Sequence, residues 1–306
     1  LQGRHDGYVG EFQTHLWGQR TQDKFRVGAP DDAWKILDRF YRRDAWEETH
    51  KYGKTDFSGN PPLGAVDILP YDAPDEVYAK YNTIILLGRN VMDDALYRRL
   101  VNYVRQGGRL LLAASHLADA PDVPFTPYNG GDWGELTGLK AVPGASDRME
   151  YGLKFVSDAP CGWHFHLKGP VCDPWFTDGG FDMPVFENVS AQTLAVASKA
   201  FPDKALDGKP VLFANNVGSG TVVFFPSIDS PGDRGVRNLY EYIARSALDA
   251  VDVWPKVECS DRVRWSVYED GTIYLLNTED HLSQVVVVYD SEDAKPRRLH
   301  LGPGEI

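Results

Sequence analysis

Two unbroken apolar runs with a helix-length segment between them constrain this chain more than any other feature. The runs are Thr83–Leu87 and Leu110–Ala114. Such a run suits a strand covered on both faces. Between them Asp93 can cap a helix that Gly107 and Gly108 end. Its inward stripe is Ala95, Leu96, Leu100, Val101 and Val104. Strand, helix, strand at this spacing is a βαβ unit, which requires parallel neighbours and a right-handed crossover. A short strand at Ala65–Leu69, stopped by Pro70, is expected just before it.

The same kind of reading extends in both directions. Asp31 and Asp32 can cap a helix to about Arg43, with Ala33, Ile36, Leu37, Phe40 and Tyr41 on one stripe. Downstream, Pro210–Ala214 and Thr221–Phe225 are strands joined by a turn over Asn216–Gly220. Asp233 then caps a helix to about Ala250, with Val236, Leu239, Tyr240, Ile243, Ala247 and Leu248 inward. Residues 118–191 break the rhythm with Gly, Pro, Asp and aromatics. A structureless loop of that length is rare, so short strands are expected inside it.

After Trp254 the pattern holds strands alone: Arg262–Tyr268, Thr272–Asn277 and Gln284–Tyr289, with a hairpin turn at Glu269–Gly271. A tail of this size is marginal alone, so it is expected to lean on the larger domain. The division expected is an α/β domain over 1–253, with an N-terminal extension and the 118–191 insertion, and a small all-β sandwich over 254–306.

The net charge is −12, which argues against a nucleic-acid backbone as partner. No apolar run approaches the ~20 residues that span a bilayer. The odd count of three cysteines excludes complete pairing within one chain. Cys161 and Cys172 could bridge a loop in an oxidising compartment, and free thiols are the other reading. The composition fits a cytoplasmic and a secreted or periplasmic protein equally. The first residues resemble neither an initiator nor a signal peptide, so the chain reads as processed or cut from something longer.

Segments Tyr81–Gly88, Leu100–Gly108, Arg109–Ala114 and Asn215–Pro226 resemble the flavodoxin-like, glutamine-amidotransferase-like trimerisation domain of family 42 β-galactosidases. Arg264–Gly271 and Ile273–Asn277 resemble the small β-sandwich that ends those enzymes, and galacto-N-biose phosphorylases are similar after their barrel. The resemblance runs from about Ala65 to Gly304, apart from the aromatic insertion. It implies a mostly parallel sheet, a carbohydrate-active context, and association with a catalytic barrel or with other copies. The family carries its catalytic glutamates on that barrel, and no (β/α)8 pattern is present here. Amidotransferase chemistry needs a Cys on a strand-to-helix turn beside a His. Here the strand ending at Ala114 leads into Ser115 and His116 without one. No catalytic residue, metal or cofactor is therefore assigned.

Candidate binding residues concentrate near His116, at a strand's carboxyl end, where open α/β sheets bind ligands. The segments Cys161-Gly-Trp-His-Phe-His166 and Asp173–Asp182 add Trp163, His164, His166, Trp175 and Asp178, and Trp133 stands upstream. Flat rings beside carboxylates and amides suit sugars, whose C–H face stacks while hydroxyls find partners. The competing reading is that the three Trp fill a core or meet a neighbouring domain. His164 and His166 share a face on a strand and could ligate a metal, but packing or sugar contact is preferred. The leading function is an accessory and oligomerisation portion of a larger glycoside hydrolase or phosphorylase. A self-sufficient hydrolase with its site near His116 and a carbohydrate-binding module are the alternatives.

Overall fold

The computed structural model describes residues 36, 67–88, 91–120, 125–149, 152–159, 170–171, 180–198, 206–233, 236–249, 254–260, 262–268, 270–291 and 293–306. Of the described residues, Ile68 to Asp249 belong to one compact unit. Ile36, Asp67 and residues 254–306 belong to a second. The helix expected over Asp31–Arg43 otherwise lies outside the described residues.

The first unit is built on the βαβ pattern. A short helix α1 (Asp75–Tyr78) leads to β1 (Thr83–Ile85), then α2 (Asp94–Arg105) and β2 (Arg109–Ala113). The Asp93 carboxylate accepts the Leu96 N–H at 2.9 Å, so the expected cap forms. Leu96, Tyr97, Leu100, Val101, Tyr103 and Val104 make the buried face of α2, while Ala95 is exposed. β1 and β2 are parallel, and β9 (Gly220–Phe225) lies parallel to β2 on its other side. Side chains alternate between the two faces. Leu110, Leu112, Val222 and Phe224 join the core under α2. On the other face Phe225 meets Tyr240 of α4 (Arg237–Asp249), the helix after the short α3 (Gly134–Thr137), with ring centroids 6.1 Å apart. Val236, Leu239, Tyr240, Ile243 and Ala247 are fully buried there.

The expected mostly parallel sheet needs correction. The sheet has seven strands in the order β1-β2-β9-β8-β7-β4-β5, where β4 is Gly152–Phe155, β5 Pro170–Val171, β7 Gln192–Ser198 and β8 Leu206–Val217. The pairs β9–β8, β8–β7, β7–β4 and β4–β5 are antiparallel. The cause lies in the connections. Gly218 and Ser219 join β8 to β9, and a two-residue turn can only return the chain antiparallel. The 118–191 insertion is therefore not a bystander. It supplies β4 and β5 to the main sheet. It also supplies β3 (Leu139–Met149), which pairs with β6 (Phe181–Asn188) in a separate antiparallel ribbon. Asp67–Leu69 form no strand, which corrects the expectation there, and Pro70 makes only a bridge.

The second unit contains the three expected strands, as β11 (Val263–Val267), β12 (Ile273–Asn277) and β13 (Gln284–Tyr289). Two more were not expected, β10 (Lys256–Glu258) and β14 (Arg297–Leu301). β10, β13 and β14 form one antiparallel sheet and β11 and β12 another. Val257, Val263, Leu275, Val286, Val288 and Leu301 come from both sheets and share one core. Such an arrangement is a small sandwich with its own interior.

Candidate functional site

The carboxyl ends of the parallel strands are where an open α/β sheet places its ligand groups. Among the described residues, His116, Ser227 and Asp229 are buried there. After β2 the chain makes a single 3-10 turn over Ala114–Leu117. That turn carries His116 inward, to 1% exposure. Its Nδ1 accepts the Ala113 N–H at 2.9 Å, and its ring lies 6.3 Å from that of Tyr240. The Tyr240 hydroxyl donates to the Leu86 carbonyl at 2.7 Å, tying α4 to the end of β1. The Ser115 N–H donates to the Ser227 carbonyl at 2.9 Å, tying β2 to the segment after β9. The buried Ser227 hydroxyl donates to the Asp229 carbonyl and accepts the Asp229 N–H. The Asp229 carboxylate accepts the Asp182 N–H at 3.2 Å.

Serine, histidine and aspartate thus meet at one sheet end, but not as acyl-transfer machinery. That chemistry needs a hydroxyl bonded to an imidazole whose second nitrogen is held by a carboxylate. Here Nδ1 is taken by a backbone amide, and Nε2 and the Ser115 hydroxyl are buried without a hydrogen-bond partner among the described residues. Burial pushes the His116 pKa down to about 3, and the backbone of Ala113, Leu87 and Gly88 pulls the other way without offsetting it. The imidazole is therefore neutral at ordinary pH.

This neutrality has a pH signature. The folded pKa lies below the ordinary value, so the unfolded state takes up the proton first as pH falls. The contribution to stability is intact above about pH 6.5 and is lost progressively down to about pH 3. His116→Gln is expected to flatten this acid limb. Melting temperatures between pH 7 and 3 check it, and parallel curves for both proteins would contradict it.

Trp133 corrects an expectation. It follows a turn at Tyr128–Gly131 and is 0% exposed, with its indole N–H donating to the Tyr128 carbonyl at 2.8 Å. Phe125, Phe186 and Phe224 surround it, with ring centroids 6.1–6.4 Å away. Neither face of the ring is open to a sugar, and packing is its role. Trp163, His164, His166, Trp175 and Asp178 lie outside the described residues, as do Cys161 and Cys172. Among the described residues, no group of three or more His, Cys, Asp or Glu side chains is placed to hold a metal ion. No described helix is long and apolar enough to cross a membrane.

A concave site lies at the amino end of the strands. It is a crevice of about 200 Å³ between α1, the start of β1 and the last turn of α2. Arg99 organises it. Its Nε pairs with the Asp75 carboxylate at 2.8 Å, and a guanidinium N–H donates to the Tyr71 carbonyl at 3.0 Å. The guanidinium lies 5.5 Å from the Tyr78 ring centre. Burial pushes the Tyr78 hydroxyl up to about 12, so it stays a neutral donor to the Tyr71 carbonyl at 2.8 Å. The amides of Asn82, Asn102 and Gln106 complete the rim. Sequence reading passed over these residues because polar positions on an exposed helix face look like ordinary solvated surface.

No family model matches the chain, and no curated protein matches it. Solved structures similar to it include a catalytic mutant of Gan42B, a GH42 β-galactosidase from G. stearothermophilus. That match has 15% identity and a TM-score of 0.42, and covers 74% of this chain and 31% of that one. The cold-adapted β-galactosidase from Rahnella sp. R3 matches at 18% identity and a TM-score of 0.47, over 80% of this chain and 34% of that one. A cytoplasmic protein from Salmonella typhimurium LT2 matches at 15% identity and a TM-score of 0.40, over 72% of this chain and 84% of that one. The chain spans about a third of the length of the β-galactosidases it matches.

Proposed function

We propose that this chain is an accessory, oligomerisation portion of a larger carbohydrate-active enzyme whose chemistry resides on a separate barrel. The observation that carries the reading is the burial of His116 at the carboxyl end of the parallel strands. His116 is neutral, buried and bonded to backbone, and among the described residues no nucleophile is bonded to it. A self-sufficient hydrolase would need an open, activated group at that edge. The resemblance of segments 81–114 and 215–226 to the trimerisation domain supports the same role. The parallel trio β1, β2 and β9 with α2 and α4 on its faces supports the flavodoxin-like part of that resemblance.

Under this reading, Trp163, His164, His166, Trp175 and Asp178 contact sugar or the barrel. Val185 and Val189, at and just after β6, are 38% and 65% exposed and belong to the surface that docks. Sedimentation velocity over a wide concentration range tests the assembly role. Self-association that Val185→Asp with Val189→Asp weakens at least tenfold is the expected result. A pure monomer at high concentration, from a reading frame that encodes no barrel, would overturn the proposal.

A further inference from the structure

The crevice at the amino end of the sheet has a donor set that points to a ligand class. Its one cation, Arg99, is balanced by Asp75 at 2.8 Å, so the lining offers no net positive charge to an anion. Three amide side chains, Asn82, Asn102 and Gln106, face it and make no side-chain hydrogen bond among the described residues. Each amide carries both a donor and an acceptor. Sugar hydroxyls also donate and accept at once, so amides pair with them without unsatisfied groups. Tyr81, half-buried at the rim, adds an aromatic ring. The volume of about 200 Å³ is below the ~300–1,000 Å³ of sites for drug-sized ligands and suits a single ring.

We propose that this crevice binds one pyranose ring of a neutral carbohydrate, held by the Asn82, Asn102 and Gln106 amides and the Arg99–Asp75 pair. The site is non-catalytic, and it lies at the strand end opposite His116. The proposal rests on the carbohydrate side of the function proposed above and not on the accessory role, which sedimentation tests separately.

The test is a titration of the full chain with D-galactose, D-glucose, D-mannose and their methyl pyranosides. Side-chain amide resonances of Asn and Gln are followed by NMR. Glycerol and inorganic phosphate serve as controls. At least one sugar should shift the Asn82, Asn102 and Gln106 amides saturably, with a dissociation constant of about 1 mM. The double variant Asn102→Ala with Gln106→Ala should weaken that binding at least tenfold at an unchanged melting temperature. Both side chains are exposed, and Asn82→Ala is a second variant should the double one fold poorly. The pair Trp163→Ala with Trp175→Ala should leave the response intact. A response to the methyl pyranosides equal to that of the free sugars assigns the site to glycan ends as well as to monosaccharides, in support of the proposal. Three results would overturn it: no saturable response to any sugar, a stronger response to phosphate, or a sugar response abolished by the Trp pair and untouched by the amide variants.

Discussion

Replacing Trp133 by alanine is expected to destabilise the large unit by about 3–5 kcal/mol, the usual range for emptying a buried aromatic site. The side chain is fully buried among Phe125, Phe186 and Phe224, which belong to three separate stretches of the chain. Few neighbours can collapse into the space, because two of them are strand residues on a hydrogen-bonded ladder. The Tyr128 carbonyl would also lose the indole N–H at 2.8 Å. Against a total stability of about 5–15 kcal/mol this is a large fraction. Urea unfolding followed by circular dichroism measures it, with an unchanged slope and a lowered midpoint expected. Trp133→Phe should lose much less, since it keeps most of the ring volume. A loss below about 1 kcal/mol for the alanine variant would show that the indole is not core. It would also return Trp133 to the candidate sugar contacts.

Gly220→Ala is expected to have a comparable effect by the opposite mechanism. A Cβ there would sit 2.1 Å from the Val104 carbonyl oxygen and 2.3 Å from that of Gly108. Both are backbone atoms, so no side chain can swing aside. The β8–β9 turn would have to lift from the end of α2. With it would go the Ser219 N–H bond to the Arg105 carbonyl at 3.1 Å and the Thr221 N–H bond to the Gly108 carbonyl at 3.2 Å. The first of those bonds satisfies a carbonyl that the helix end leaves open. Overpacking of about 1–3 kcal/mol plus two lost bonds predicts about 3 kcal/mol or more. Gly144→Ala is the control. That glycine has φ +69° but nothing within 4 Å of its Cβ position, so only the backbone preference, about 1 kcal/mol, should appear. Equal losses at the two sites would refute the close-approach argument.

The two variants mark the boundary between what was legible in the residues and what was not. Thr83–Leu87, the Asp93-capped helix and Arg109–Ala114 announced their structure because the signals are local. Burial on both faces makes a strand uniformly apolar, a cap needs one carboxylate, and a helix stop needs one glycine pair. The small sandwich was legible for the same reason in three of its strands, whose alternation and turn residues are continuous. Strand β14, Arg-Arg-Leu-His-Leu, was missed because four of its five residues are exposed and carry no burial pattern. Short strands are expected within 118–191, but the sequence does not place β3 and β6, because Pro143 and Gly144 interrupt β3 where its register with β6 shifts between Ala141 and Ser146.

The candidate site was harder to read than the fold. His116 was located correctly at a strand's carboxyl end, since that position follows from local order. Its burial and neutrality depend on Tyr240, which arrives from α4, more than a hundred residues away along the chain. The sequence leaves Trp133 between core packing and sugar contact, because only Phe186 and Phe224, from distant strands, close over it. The amide-lined crevice brings Asn82 together with Asn102 and Gln106, a convergence that no short motif records.

Local sequence alone therefore established the βαβ unit, the β8–β9 hairpin, the helix stripes and the presence of a terminal β unit. Each follows from periodicity, caps and turns, which act within a few residues of one another. Tertiary structure alone decided the direction of the added strands, the burial of His116 and the packing of Trp133. The physical reason is the range of the forces that decide them. Strand order, burial and the desolvation of a titratable group are set by which distant segments meet, and an apolar run is equally apolar whichever partner it finds.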